Sequence, residues 1–219
     1  VGLTFDPDPH VYTLDGDRVP SVTGILKAAG LIDFSHVPLS ILEAAQHRGR
    51  TVHAAIHYYN ENDLDIDQFG RDFPTYAGYL EAWLAFTDQR HFRAVLNERR
   101  LASRKHQVAG TADCFGYLDG VPVLLDFATG RPQDVAKDLQ TAAYHALAFE
   151  WATEDDLELS NFLARARGVV RRYGVALRKD GTFALEPYAA PSDYREFFAL
   201  VESQRIVARR RPTRAEVYA

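Results

Sequence analysis

Apolar positions along the chain switch between helical and strand-like spacing, and the switches mark the predicted elements. HVYTL followed by the polar Asp15-Gly16-Asp17 turn predicts a short β-hairpin from about Val11 to Val19. Ser21 then stands where a helix cap belongs. Val22, Ile25, Leu26 and Ala29 recur at helical spacing before Gly30. A second helix is expected from Pro38 or Ser40 through the run ending near Asn62, with Ile41, Ala45, Val52, Ile56 and Tyr59 as its buried stripe and Gly49 as a break or close-packing point. The acidic stretch from Glu61 to Asp67 reads as a solvated loop. Tyr76 to Arg90 is a further amphipathic helix, with Tyr79, Leu80, Trp83 and Phe86 inward.

At Phe92 the period changes to that of strands. FRAVLNERRL, HQVAGTADCFGYLDG and VPVLLDFAT read as three consecutive strands, punctuated by Gly110 and by the Asp119-Gly120 turn. The third is nearly all apolar before Asp126, which suits a strand covered on both faces. A helix from about Val135 to Glu150 follows, with Leu139, Ala143, Ala146 and Leu147 inward, then an acidic segment around Glu154 to Glu158. Two more strands meet at Asp180-Gly181, and a last helix runs from Ser192 to about Arg210. The expected fold is α/β, a mixed central β-sheet flanked by helices, in one domain over residues 1–219. Its parts are a helical N-terminal region with a hairpin over 1–90, a core over 91–150, and a hairpin and helix over 151–219.

Composition narrows the class. With 47% apolar and 25% charged residues among 219, the chain reads as an ordinary soluble globular protein. No run reaches the roughly 18 apolar residues of a membrane span, so a cytoplasmic protein with no membrane partner is expected. The single cysteine, Cys114, excludes an internal disulfide and an iron–sulfur cluster held by this chain alone. The net charge of −5 conceals an asymmetry: residues 160–219 hold 12 Lys and Arg against 6 Asp and Glu, whereas residues 1–159 hold 13 against 24. An acidic front and a basic back suit a protein that binds both a cation and a polyanion, although plain surface variation explains the charges equally well.

The candidate chemistry lies in the strands. Asp113 sits early in one and Asp126 at the end of the next, so the Asp119-Gly120 turn brings two carboxylates together. Such a pair repels itself unless a divalent cation lies between, and hard oxygen ligands favour Mg²⁺ or Mn²⁺.

Four segments in register carry a resemblance: RGRTVH ending at His53, GTAD ending at Asp113, DFAT beginning at Asp126, and QTAAY from Gln140 to Tyr144. In order and interval they resemble the PD-(D/E)XK nuclease superfamily, restriction-endonuclease-like in core, and in particular its RecB-like and phage-exonuclease branch. The opening HVYTLDGDRVPSVTGIL is similar to that of phage-type members. The resemblance implies a Mg²⁺- or Mn²⁺-dependent DNA exonuclease of recombination or repair, with one or two ions, acting in a bacterial or phage-infected cell. It implies DNA, single- or double-stranded, as partner, and leaves room for a homo-oligomer or a recombination partner.

Site residues follow from the same resemblance. Asp113 and Asp126 would be principal metal ligands, joined by the backbone carbonyl of Phe127, by His53 and by Glu98. A satisfied interior histidine is the alternative for His53, and an exposed strand position the alternative for Glu98. Gln140 and Tyr144, four apart on one helix face, would border the active site and touch the nucleic-acid backbone, with a plain core role the alternative for Tyr144. Ser21 and Thr23 would contact phosphate or cap a helix. Arg48, Thr129, Arg171 and Arg172 are further DNA-binding candidates, as are Arg165, Arg167 and Arg209 to Arg211.

One position departs from the pattern. Where the family carries its lysine this chain has Ala128, whose methyl group cannot donate a hydrogen bond or position water. Losing such a group costs on the order of 10²–10⁴ in rate, so an inactivated or severely impaired enzyme is expected. A lysine replaced to trap a substrate complex and a naturally silent, DNA-binding relative are the two explanations. The first is preferred because every other motif position is filled.

Overall fold

The computed structural model describes residues 2–130, 136–152 and 156–210. The expected helix start at Val135, the acidic Glu154, and Arg211 lie outside them. The chain opens with a small antiparallel sheet of β1 (Leu3–Asp6), β2 (Val11–Leu14) and β3 (Asp17–Val19). The expected hairpin is therefore its last two strands. Asp15 and Gly16 both adopt positive φ, 53° and 100°, as a two-residue turn between twisted strands requires. Ser21 caps α1 (Val22–Ala28) by accepting the Gly24 amide at 3.0 Å.

The long helix α2 (Leu39–Asn60) runs unbroken through Gly49. Val52 and Ile56 are buried on it as expected, but Ile41, in its first turn, is 59% exposed. The stretch after Glu61 is a loop only at first: Asp65 accepts the Gln68 amide and starts α3 (Ile66–Asp72), whose Phe69 is buried. In α4 (Ala77–Gln89) all four expected core residues, Tyr79, Leu80, Trp83 and Phe86, are buried.

The central sheet has the order β4-β5-β6-β7-β8, formed by Arg93–Ser103, Val108–Leu118, Val121–Ala128, Arg171–Leu177 and Phe183–Tyr188. Only the β6–β7 pair is parallel, so the sheet is mixed. A parallel pair needs a long crossover, here supplied by α5 (Ala136–Trp151) and α6 (Leu157–Arg165). The acidic segment expected near Glu158 is in fact the start of α6. Asp156 caps it and, with Glu158, binds Arg99 of β4, pinning the helix to the sheet. α7 (Ser192–Arg210) closes the described chain.

Helices cover both faces of the sheet. Val123, Leu125 and Phe127 of β6 pack with Val52 and Ile56 of α2 and with the aromatics of α4. Leu124 belongs to the other core, with α1, α5, α6 and α7. The apolar run of β6 is thus buried on both sides, and Asp126 and Ala128, two and four residues past Leu124, share its face. No described helix is long and apolar enough to cross a membrane.

Candidate metal centre

Three elements deliver the acidic cluster. The tight hairpin at Asp119 and Gly120, both at positive φ, fixes β5 against β6 with Leu118 opposite Val121 and Cys114 opposite Leu125. One step further along that register Asp113 meets Asp126, and the Asp113 carboxylate accepts the amide of Phe127 at 2.9 Å. On the other side of β5, Asn97 and Arg99 of β4 pair with Cys114 and Ala112, which places the intervening Glu98 beside Asp113. Glu98 has φ of +46° inside this strand. An L residue with a long side chain is strained there by about 1–2 kcal/mol.

His53 reaches the same point from α2. Its Nε2 lies 3.0 Å from the Phe127 carbonyl, which can only accept, so Nε2 carries a proton and, in the neutral ring, Nδ1 carries the lone pair. That nitrogen is 3.6 Å from Glu98 Oε1 and 3.9 Å from Asp113 Oδ1. One ligand atom from each of His53, Glu98 and Asp113 lies within 4.8 Å of the others. One imidazole nitrogen and two carboxylate oxygens suit a hard or borderline divalent cation, and the histidine is held by a carbonyl behind it in the manner common for ligating imidazoles.

The electrostatics express the crowding. Burial, and then the Asp126 carboxylate, push Asp113 up to about 7, against the opposing pull of His53. Burial pulls the His53 pKa down, but Asp113 and Glu98 outweigh it and hold the imidazole above its ordinary value. Asp126 is only 3% exposed and is excluded from water. Its Oδ2 is 2.5 Å from Nζ of Lys137, in the first turn of α5. Burial lowers Lys137, but Asp126 and Asp113 more than offset it and hold its pKa above the usual lysine value.

Two clefts flank Glu98. One of about 520 Å³ is lined by Gly49, Arg50, His53, Ala54, His57 and Tyr58. The other, about 580 Å³, is lined by residues that include Asn97, Arg99, Arg100 and Trp151. Each also includes Glu98 and His57 in its wall.

The structure sorts the residues singled out in the sequence. His53, Glu98 and Asp113 converge, with Glu98 reaching the cluster from an exposed strand position. Asp126 adjoins them but is engaged by Lys137. The Phe127 carbonyl, expected as a ligand, accepts from His53 Nε2. Gln140 and Tyr144 are both buried and bonded to each other, Nε2 to phenolic oxygen at 3.0 Å. A Cβ on Gly110 would stand 2.7 Å from the Tyr144 ring, so the glycine admits that ring to the strand. Ser21 is spent on its cap and its hydroxyl lies 3.3 Å from that of Thr23. Arg48 donates to the Thr129 hydroxyl at 3.1 Å, tying α2 to the end of β6.

Arg172 is a correction. It is 4% exposed, paired with Asp193 at 2.7 Å and bonded to the Asp138 carbonyl, so it braces α5 and α7 and cannot meet phosphate. Strand alternation is the reason: Arg171 is exposed and its neighbour must point inward. Lys137 was missed, because a lysine in the first turn of an amphipathic helix looks like any solvated charge. Only the crossover from β6 to α5 brings it back over the strand end.

No protein family model matches the sequence, and no curated protein matches it. Among solved structures, the chain is similar to a protein from Eubacterium rectale described as a "Putative exonuclease", at 12% identity and a TM-score of 0.48, covering 88% of this chain and 80% of that one.

Proposed function

We propose that this chain is a divalent-metal-dependent DNA exonuclease of the RecB-like or phage recombination and repair type. The observation that carries the reading is the convergence of His53 Nδ1, Glu98 and Asp113 beside Asp126, with the histidine tautomer fixed for ligation by Phe127. His53, Glu98 and Asp113 would hold Mg²⁺ or Mn²⁺, with Asp126 the adjoining carboxylate. Such an ion supplies Lewis-acid stabilisation of a phosphate oxygen and a nucleophilic water at neutral pH.

The chain's own groups do the rest. The Phe127 carbonyl keeps the imidazole lone pair turned toward the carboxylates. The clefts on either side of Glu98 give a nucleotide strand a path across the centre, with Arg50 and the 48% exposed Tyr58 on one wall for phosphate contact and base stacking. In the hydrolysis, water oxygen bonds to phosphorus, one P–O ester bond breaks, and the water's proton ends on the departing oxygen. Cleavage is read from end-labelled single- and double-stranded DNA with Mg²⁺ or Mn²⁺, against chelator and an Asp113→Asn control. Metal-dependent release of nucleotides from DNA ends is expected. The same low background in all conditions overturns the reading.

Ala128 favours a second reading, a DNA-binding protein that keeps the nuclease architecture without catalysis. Salt-sensitive DNA binding without cleavage, unchanged in Ala128→Lys, distinguishes it.

A further inference from the structure

Ala128 leaves the end of β6 without a cation, yet the pocket beside it is not empty of charge. It is walled by Asp126, Ala128, Gly174, Ala176 and Tyr188, and by Lys137 from α5. The parallel register sets Asp126 opposite Gly174 and Ala128 opposite Ala176, so two methyl groups and a bare glycine make a low floor at the strand ends. Tyr188 fills over the glycine, since a Cβ there would stand 2.6 Å from its hydroxyl. What remains is about 10 Å³, room for no more than one water.

We propose that Lys137 supplies the cation of the reaction from helix α5, in place of the lysine absent from position 128. This rests on the nuclease reading above. Three observations carry it. The Lys137 ammonium is 2.5 Å from the carboxylate that adjoins the metal cluster. Its side chain is 22% exposed, neither solvated like a surface lysine nor sealed in the core. An ammonium has three donors, and among the described residues Asp126 is the one side chain that Nζ engages. No other described side chain takes the remaining donors, which can serve a phosphate oxygen or the attacking water. A positive charge preorganised where negative charge develops is worth orders of magnitude in rate, and it acts here as donor, with no covalent step of its own. The alanine at 128 is then a counterpart of Lys137: a lysine at both positions would put two ammonium groups over one carboxylate.

The test moves the lysine between its two possible homes. Parent, Lys137→Met, Ala128→Lys and Ala128→Lys/Lys137→Ala are compared for Mg²⁺-dependent DNA cleavage and for Mn²⁺ affinity by calorimetry. The parent is expected to cut. Lys137→Met loses at least about a hundredfold in rate while its Mn²⁺ affinity is unchanged or higher, because an ammonium beside Asp126 has been removed. The double variant, with the lysine returned to the strand, recovers cleavage. A Lys137→Met protein that cuts as well as the parent overturns the proposal, as does a parent that is inert while Ala128→Lys cuts, and in both cases the nuclease reading survives. If no variant cuts, that reading falls as well. Should Lys137→Met fold poorly, the double variant decides: recovery supports the role, and an intact but inactive double variant overturns it.

Discussion

His53 donates its Nε2 proton to the carbonyl of Phe127 at 3.0 Å, joining the middle of α2 to the end of β6. Because that carbonyl can only accept, the bond decides which imidazole nitrogen faces Glu98 and Asp113. His53→Gln is expected to lower Mn²⁺ affinity at least about tenfold, since it removes the ligating nitrogen while leaving both carboxylates. Calorimetry measures this, and equal affinity would return His53 to a structural role.

Asp113, at about 7, binds a proton in the metal-free folded state that the unfolded chain releases near pH 4. A raised carboxyl pKa contributes stability that is complete below the unfolded value and is lost as pH rises through the folded one. His53, also raised, loses its contribution above its ordinary value, in the same direction. Metal-free protein should therefore lose stability between about pH 4 and 7 from Asp113, and above about pH 6.5 from His53. Asp113→Asn removes the carboxylate repulsion and should raise the apo melting temperature at pH 7, by about 2–4 °C for each kcal/mol relieved. Thermal melts across that range check it, and an Asn variant that melts lower at pH 7 contradicts it.

Metal binding must displace the same protons. Affinity for Mn²⁺ should rise with pH up to about 7 and level off above, with protons released on binding. Titrations in buffers of different ionisation enthalpy count those protons. A pH-independent affinity is the contrary result.

Glu98 stands at φ +46° in a strand, a conformation glycine adopts freely. Glu98→Gly should leave metal-free stability unchanged or improved by about 1 kcal/mol, as strain is relieved, while Mn²⁺ affinity drops. Denaturant unfolding together with calorimetry separates the two effects. A large loss of stability would mean the glutamate holds the fold rather than the ion.

Arg171 and Arg172 are adjacent in sequence and opposite in environment. Arg172→Met strands the buried Asp193 and should cost about 3–5 kcal/mol. Arg171→Ala should leave stability alone and reduce the salt dependence of DNA binding by about one ion. Urea unfolding and binding at several salt concentrations test the pair.

Much of this is legible in the residues themselves. The β5–β6 hairpin is written in Asp119-Gly120, the two-sided burial of β6 in its unbroken apolar run, and the Asp113–Asp126 encounter follows from both. His53 stands out only through the family resemblance of its RGRTVH segment, since by itself it reads equally as an interior histidine. α6 is hidden, because its acidic opening looks like a loop until Asp156 is seen capping it and Arg99 holding it. Lys137 is hidden for a related reason, since where a crossover helix lands leaves no local signature in composition or period. Glu98 is named with an exposed-strand alternative, and the backbone angle that sets it beside Asp113 is not legible in the sequence. Arg172 misleads because a charged pair in a strand looks like one basic patch, although alternation must send its two members to opposite faces.

The central claim is that His53, Glu98 and Asp113 together hold a divalent cation. Calorimetric titration of Mn²⁺ into the metal-free protein and into Asp113→Asn at neutral pH tests it most directly. The account predicts saturable binding to the parent and none to the variant. Equal binding by the two proteins would contradict it.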